Sequence, residues 1–200
     1  MNFTEEPVGA LLAGGAGTRL GGAKATTTLG GRPLLAYPVA ALTATLRTVA
    51  VVAKRDTPLP DLGEVPVWLE PDAPRHPLTG LLEALRRAEG RAVLACAADL
   101  PFLAPDLVGH IASAPAAGAP ALVPRVHGRV QPLLARYEPE ALAGLRAADP
   151  TAPLTETVLA LGPALLDLAD DRPFFNVNTP ADLRVAQEFF RQEGKTPQMG

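Results

Sequence analysis

The chain runs from an apolar segment, Val8–Leu12, straight into Ala13-Gly14-Gly15-Ala16-Gly17-Thr18-Arg19-Leu20-Gly21-Gly22-Ala23-Lys24. The apolar segment is short and reads as a buried strand. Five glycines in the nine positions from Gly14 to Gly22 strip the following loop of side chains. Its backbone N–H groups can then approach an anion closely and converge on it. Arg19 and Lys24 could be ordinary surface charges, but in a loop without other long side chains they suit a polyphosphate. Two familiar patterns fail. A dinucleotide fingerprint would need glycine at position 20, which is Leu20, and a P-loop would need lysine directly after Gly22, which is followed by Ala23. This is a phosphate loop of another kind.

Comparable apolar runs recur at Val49–Ala53 and at residues 65–69, 91–96 and 121–124. Helical spacing lies between them. Residues 33–46 place Leu34, Leu35, Val39, Leu42 and Leu46 on one side, with Pro33 in the first turn and Pro38 as a bend. Residues 78–88 carry Leu78, Leu81, Leu82 and Leu85 at core spacing. A third helix opens at Pro105, and the last opens at Pro180 with Leu183, Ala186 and Phe190 inward. Residues 131–137 read as a later strand pairing back across a turn at His127-Gly128. Strand–helix alternation over 200 residues at 48% hydrophobic predicts one α/β domain over residues 1–193. The expected architecture is a three-layer, mostly parallel, Rossmann-like sheet flanked by helices, with residues 194–200 as a frayed polar tail. Ligands of such sheets sit at the carboxyl ends of the strands, where both the glycine loop and Asp99 fall.

Composition narrows the partners. The net charge is −3 and the basic residues are scattered, which argues against nucleic acid. Cys96 is the only cysteine, so no internal disulfide can form. It reads as a small buried hydrophobe. His76, His110 and His127 share no ligand spacing, which disfavours zinc. There is no leader-like start and no run of about 18 apolar residues, the least that spans a bilayer. A cytoplasmic protein without a membrane partner is expected.

Asp99 ends the apolar run that contains Cys96 and is followed by Leu100-Pro101-Phe102. A carboxylate at the tip of a buried strand is poorly solvated unless a cation meets it. It either caps the next turn or holds Mg²⁺ with substrate phosphates, and the glycine loop at the same sheet edge favours the metal. In Asn176-Val177-Asn178-Thr179-Pro180, which is expected to join a strand to the final helix, Asn178 or Thr179 would cap that helix. The two asparagines on alternate residues could equally present an amide to a ligand. His76, in a proline-rich loop, could line the site without acting as acid or base.

Together these motifs resemble the nucleotidyltransferases that build nucleotide-modified cofactors, most closely the molybdenum cofactor guanylyltransferases. The resemblance rests on Leu12-Ala13-Gly14-Gly15, Arg19, Gly21-Gly22 and Lys24, on Gly31-Arg32-Pro33-Leu34, and on Pro77-Leu78-Thr79-Gly80. It continues through Asp99-Leu100-Pro101-Phe102 to Asn176-Val177-Asn178-Thr179-Pro180. It implies a fold like that of the nucleotide-diphospho-sugar transferases. Leu12, Ala13, Gly14 and Gly15 would hold the nucleotide, Lys24 and Arg19 its phosphates, and Asp99 both nucleotide and Mg²⁺. Glu70, or less readily Asp72, would contact the guanosine, and Asn176 and Asn178 would face the pterin. The chain departs from the family's usual pattern at Ala23, Lys54, Glu70, His76 and Thr79.

The reaction so implied is transfer of GMP from GTP to the terminal phosphate of molybdopterin, the organic part of the molybdenum cofactor, with Mg²⁺ as the metal. The product would pass transiently to molybdoenzymes or other cofactor-assembly proteins. The rival expectations are cytidylyl transfer to the same pterin, nucleotidyl transfer to another small phosphorylated acceptor, and nucleotide binding without turnover.

Overall fold

The computed structural model describes residues 6–14 and 26–193. Gly15, Arg19, Lys24 and the rest of the 15–25 stretch lie outside the described residues, as do residues 194–200. The strands are β1 (Val8–Leu12), β2 (Thr28–Leu29), β3 (Arg32–Pro33), β4 (Val49–Ala53), β5 (Val67–Leu69), β6 (Val93–Ala97), β7 (Ala121–Val126), β8 (Arg129–Val130), β9 (Leu134–Tyr137) and β10 (Ala164–Leu168). The helices are α1 (Ala36–Thr43), α2 (Pro77–Arg87), α3 (Pro105–Ser113), α4 (Ala141–Ala147), α5 (Leu154–Ala160) and α6 (Pro180–Glu193).

The main sheet has the order β10-β7-β9-β6-β1-β4-β5, with β8 pairing β7. The strands β5, β4, β1 and β6 are parallel neighbours, and β10 is parallel to β7. Only β9 and β8 run against their neighbours. β1, β4 and β6 carry no polar side chain, because both faces of the central strands are covered and the alternation of a half-exposed strand is lost. On one face Leu11, Val51 and Cys96 pack with Leu42 of α1 and Ile111 of α3. On the other, Ala10, Val52 and Ala95 pack with Leu81 of α2, Leu145 of α4 and Val158 of α5. A smaller core of Leu29, Leu34, Val177 and Ala186 joins the β2–β3 hairpin to α6.

The chain moves outward from β1 to β4 and β5, then returns to the opposite side of β1 as β6. The order reverses between β1 and β6, and the crevice beyond their carboxyl ends is where sheets of this kind bind ligands.

Several local expectations change. Pro33 is not in the first turn of α1; it lies in β3, paired with Thr28 across the Gly30-Gly31 turn, whose residues have φ of 56° and 82°. The helix begins at Ala36, so Pro38 falls in its first turn, where a missing N–H breaks no intrahelical bond. The 176–180 segment follows a 3₁₀ turn, Arg172–Phe174, and not a strand. The turn at His127-Gly128 is present with φ of 47° and 78°, linking β7 to β8, and β9 then completes the return. The strand β10 and the seven-residue helices α4 and α5 have no counterpart in the sequence reading; segments so short show little periodicity.

Candidate active site

The parallel register builds the site. Leu12 pairs with Ala97 on one side and Val52 on the other, and Ala53 pairs with Leu69. The ladder continues past the strand ends, with Ala13 N–H donating to the Val52 carbonyl at 2.8 Å and Glu70 N–H to the Ala53 carbonyl at 3.0 Å. Beyond the last paired residues, Asp99, Gly14, Lys54 and Glu70 form a row that follows the ends of the neighbouring strands β6, β1, β4 and β5. Leu12, Ala13, Gly14, Glu70 and Asp99 line a cavity of about 520 Å³ at that edge.

Asp99 is 5% exposed. Its backbone carbonyl accepts from Val177 N–H at 3.0 Å, which ties the segment before α6 to the end of β6. Asn176 and Asn178 thereby reach the cavity wall. Between the open alternatives for the helix cap, Thr179 takes that part: its Oγ1 accepts from Asp182 N–H at 3.2 Å. The Asp182 carboxylate in return accepts from the N–H groups of Thr179 and Asn178, at 2.8 and 3.0 Å. Asn176 uses its amide Nδ2 to donate to the Phe174 carbonyl at 2.9 Å.

At the other end of the row stands Glu70. Asp72 is exposed and stands apart from the cavity wall, whereas Glu70 is 7% exposed and lines it. A Cβ on Gly14 would overlap Glu70 Oε1, and one on Gly80 would lie 3.3 Å from Oε2, so both glycines leave room for this carboxylate. Behind it Lys54, 2% exposed, brings Nζ to 3.6 Å from Oε2 and donates to the carbonyls of Pro71 at 2.6 Å and Pro74 at 3.3 Å. Burial raises the Glu70 carboxyl above the usual glutamate range, and Lys54, then Arg75, pull it partly back. Arg75 pairs with Asp56 at the cavity rim; both are exposed, and such a pair adds little stability.

His76 lines the cavity and its Nδ1 accepts from Leu78 N–H at 3.2 Å, capping α2. Cys96 is buried; loss of solvent pushes its thiol well above the usual range, and the negative charge of Asp99 adds to that. Among the described residues no three of His, Cys, Asp and Glu gather as a self-sufficient metal site. A hard divalent cation bound here would have Asp99 as its protein carboxylate and would take its other oxygens from phosphates and water, a donor set that suits Mg²⁺.

Residues 9–183 match the family model described as the MobA-like NTP transferase domain. The chain belongs to this family. Similar members include the molybdenum cofactor guanylyltransferase of Acidiphilium cryptum, 36% identical over 187 residues that cover 88% of this chain and 92% of that protein. The molybdenum cofactor guanylyltransferase of Cereibacter sphaeroides is 35% identical over 193 residues, covering 92% and 97%. Among solved structures, molybdopterin-guanine dinucleotide biosynthesis protein A from Archaeoglobus fulgidus superposes with a TM-score of 0.73 at 24% identity, over 92% of this chain and 98% of that one. The 2-C-methyl-D-erythritol 4-phosphate cytidylyltransferase of Thermus thermophilus gives 0.68 at 24% identity, over 92% and 99%. The expected three-layer, mostly parallel sheet is the fold of these MobA-like and related nucleotidyltransferases.

Within this MobA-like NTP transferase, the structure brings Leu12, Ala13, Gly14, Glu70, Asp99, Asn176 and Asn178, all singled out from the sequence, around one cavity. Sequence reasoning noted Lys54 only as a departure from the family's pattern and gave neither it nor Gly80 a role. The signal was there: Lys54 directly follows the wholly apolar β4 as Asp99 follows β6, and a charge just past a buried strand calls for a partner.

Proposed function

We propose that this chain is a molybdenum cofactor guanylyltransferase, which transfers GMP from GTP to the terminal phosphate of molybdopterin and releases pyrophosphate. The observation that carries the reading is the cavity at the β1–β6 crevice, lined both by the start of the glycine loop and by Asp99. The names of relatives at 36% and 35% identity support the choice of substrates.

An oxygen of the acceptor phosphate forms a bond to the α-phosphorus of GTP. The bond from that phosphorus to the oxygen bridging to the β-phosphate breaks, and its electron pair leaves with pyrophosphate. The attacking oxygen is already anionic, so neither a protein nucleophile nor a strong base is required. The obstacle is repulsion between two polyanions, and binding must overcome it while keeping the reacting atoms in line. Leu12, Ala13, Gly14 and Gly15 would hold the nucleotide, with Arg19 and Lys24 on its phosphates. Glu70 would contact the guanosine, and Asn176 and Asn178 the pterin side. Asp99 would hold Mg²⁺ together with the phosphates; when bound, the ion supplies charge neutralisation for the triphosphate and the leaving group. The product would pass by transient contact to a molybdoenzyme or another cofactor-assembly protein.

The test is pyrophosphate release with Mg²⁺ and molybdenum-loaded molybdopterin, comparing GTP, CTP and ATP. Turnover with GTP alone is expected. Turnover with CTP instead would move the chain to cytidylyl transfer, and nucleotide binding without any turnover would overturn catalysis on this acceptor.

A further inference from the structure

We infer that Lys54 is a positioning residue for the nucleoside, holding Glu70 from behind as a charged acceptor aimed at adjacent hydrogen-bond donors. The inference rests on the guanylyltransferase reading for which end of the nucleotide meets Glu70.

Lys54 is among the largest fully buried side chains of the protein, yet it is absent from the cavity wall that Glu70 helps to form. An ammonium has three donors, and three oxygens surround this one: the Pro71 and Pro74 carbonyls and Glu70 Oε2. Burying such a pair costs desolvation that apolar side chains would not incur, so stability alone is a poor reason for it. What the pair does provide is aim. Oε2 is buried without a hydrogen-bond partner among the described residues and is drawn toward the lysine, while Oε1 stands over Gly14 where a Cβ would collide. The other charged or titratable neighbours are Arg75, paired with Asp56 at the rim, His76 on the same loop, and Glu83 on α2. Of these cations Lys54 has the strongest influence on the carboxyl. Without it the buried acid keeps its proton to higher pH, and the protonated form is a donor where an acceptor is required. A charged carboxylate suits either the neighbouring N–H groups of a guanine edge or a pair of ribose hydroxyls.

The experiment is a double-substitution cycle read by GTP binding across pH and by pyrophosphate release. Lys54→Met keeps the stem and removes the charge. It is expected to weaken GTP binding roughly tenfold or more near neutral pH, raising KM with kcat largely kept, and to move the acid limb of binding to higher pH. In a Glu70→Gln background the same substitution is expected to add nothing, because the lysine acts through the carboxylate. An equal loss in that background, or an unmoved acid limb, would reduce Lys54 to scaffolding and overturn the inference. If Lys54→Met does not fold, Glu70→Gln alone decides: its acid limb must vanish, and a limb like that of the natural protein overturns the inference. Inosine triphosphate and 2′-deoxy-GTP separate base from ribose, and unchanged binding of both would remove Glu70 from the nucleoside. Absence of GTP binding by the natural protein would instead sink the guanylyltransferase reading itself.

Discussion

Val177 donates its backbone N–H to the carbonyl of Asp99 at 3.0 Å. That bond fastens a segment far along the chain to the end of β6. Val177 itself is fully buried in the small core beneath α6, while its neighbours Asn176 and Asn178 line the cavity. One hydrogen bond and one apolar side chain thus bring both asparagines to the site of Asp99.

Asp99→Asn keeps the shape of the side chain and removes its charge. Turnover is expected to fall about 100-fold or more, with the Tm moving by only about 2–4 °C. Pyrophosphate release and thermal melting measure the two effects separately. Near-normal turnover would take Asp99 out of the reaction.

Gly14→Ala puts a methyl group where Glu70 Oε1 now stands, so it should displace the carboxylate and abolish measurable GTP binding. Gly80→Ala, whose Cβ would lie 3.3 Å from Oε2, should weaken binding without abolishing it. Gly109→Ala is the control. Its Cβ meets only Thr45 at 3.6 Å, and alanine in the middle of α3 should stabilise the protein by about 0.5–1 kcal/mol. Isothermal titration and melting curves distinguish the three, and tight GTP binding by Gly14→Ala would contradict the packing described.

Glu70 should make stability and binding respond to pH in opposite directions. Its carboxyl is raised in the folded state, so the native protein holds that proton more tightly than the unfolded chain does. The stability so contributed is complete below the unfolded value and is lost as pH rises through the raised one. Binding that uses the carboxylate gains over the same interval. Melting and GTP titration of the natural protein and Glu70→Gln from acid to neutral pH test this. The Tm difference, natural minus variant, should shrink as pH rises; a difference that grows would reverse the assigned sign.

Asp182→Ala removes the carboxylate that accepts from Thr179 and Asn178 at the start of α6. A loss of about 1 kcal/mol is expected from the broken cap. Because Asn178 loses its anchor, KM for the acceptor should rise while the Kd for GTP stays unchanged. Equal weakening toward both substrates would mean that the damage spreads beyond the acceptor side.

Much of this was legible in the amino-acid order. Wholly apolar runs such as Val49–Ala53 identify strands covered on both faces, and their alternation with helices identifies a parallel sheet, because burial leaves few other solutions. The glycine loop and the carboxylate after Cys96 marked one sheet edge as the place for phosphate chemistry. Short elements were less legible: β10, α4 and α5 gain their stability from packing and carry little periodicity of their own. Nor could sequence choose between Asn178 and Thr179 as the cap, since both types suit the position and the hydrogen bonds decide.

The alignment of Asp99, Gly14, Lys54 and Glu70 belongs to the tertiary structure alone. They follow the ends of four strands separated by long connections, and the parallel pairing of those strands gathers them at one sheet edge. Composition and order determined which charges end buried strands. Which charge meets which was decided by the register and by the space that two glycines leave, because electrostatic partnership depends on distance and burial, and neither is encoded locally.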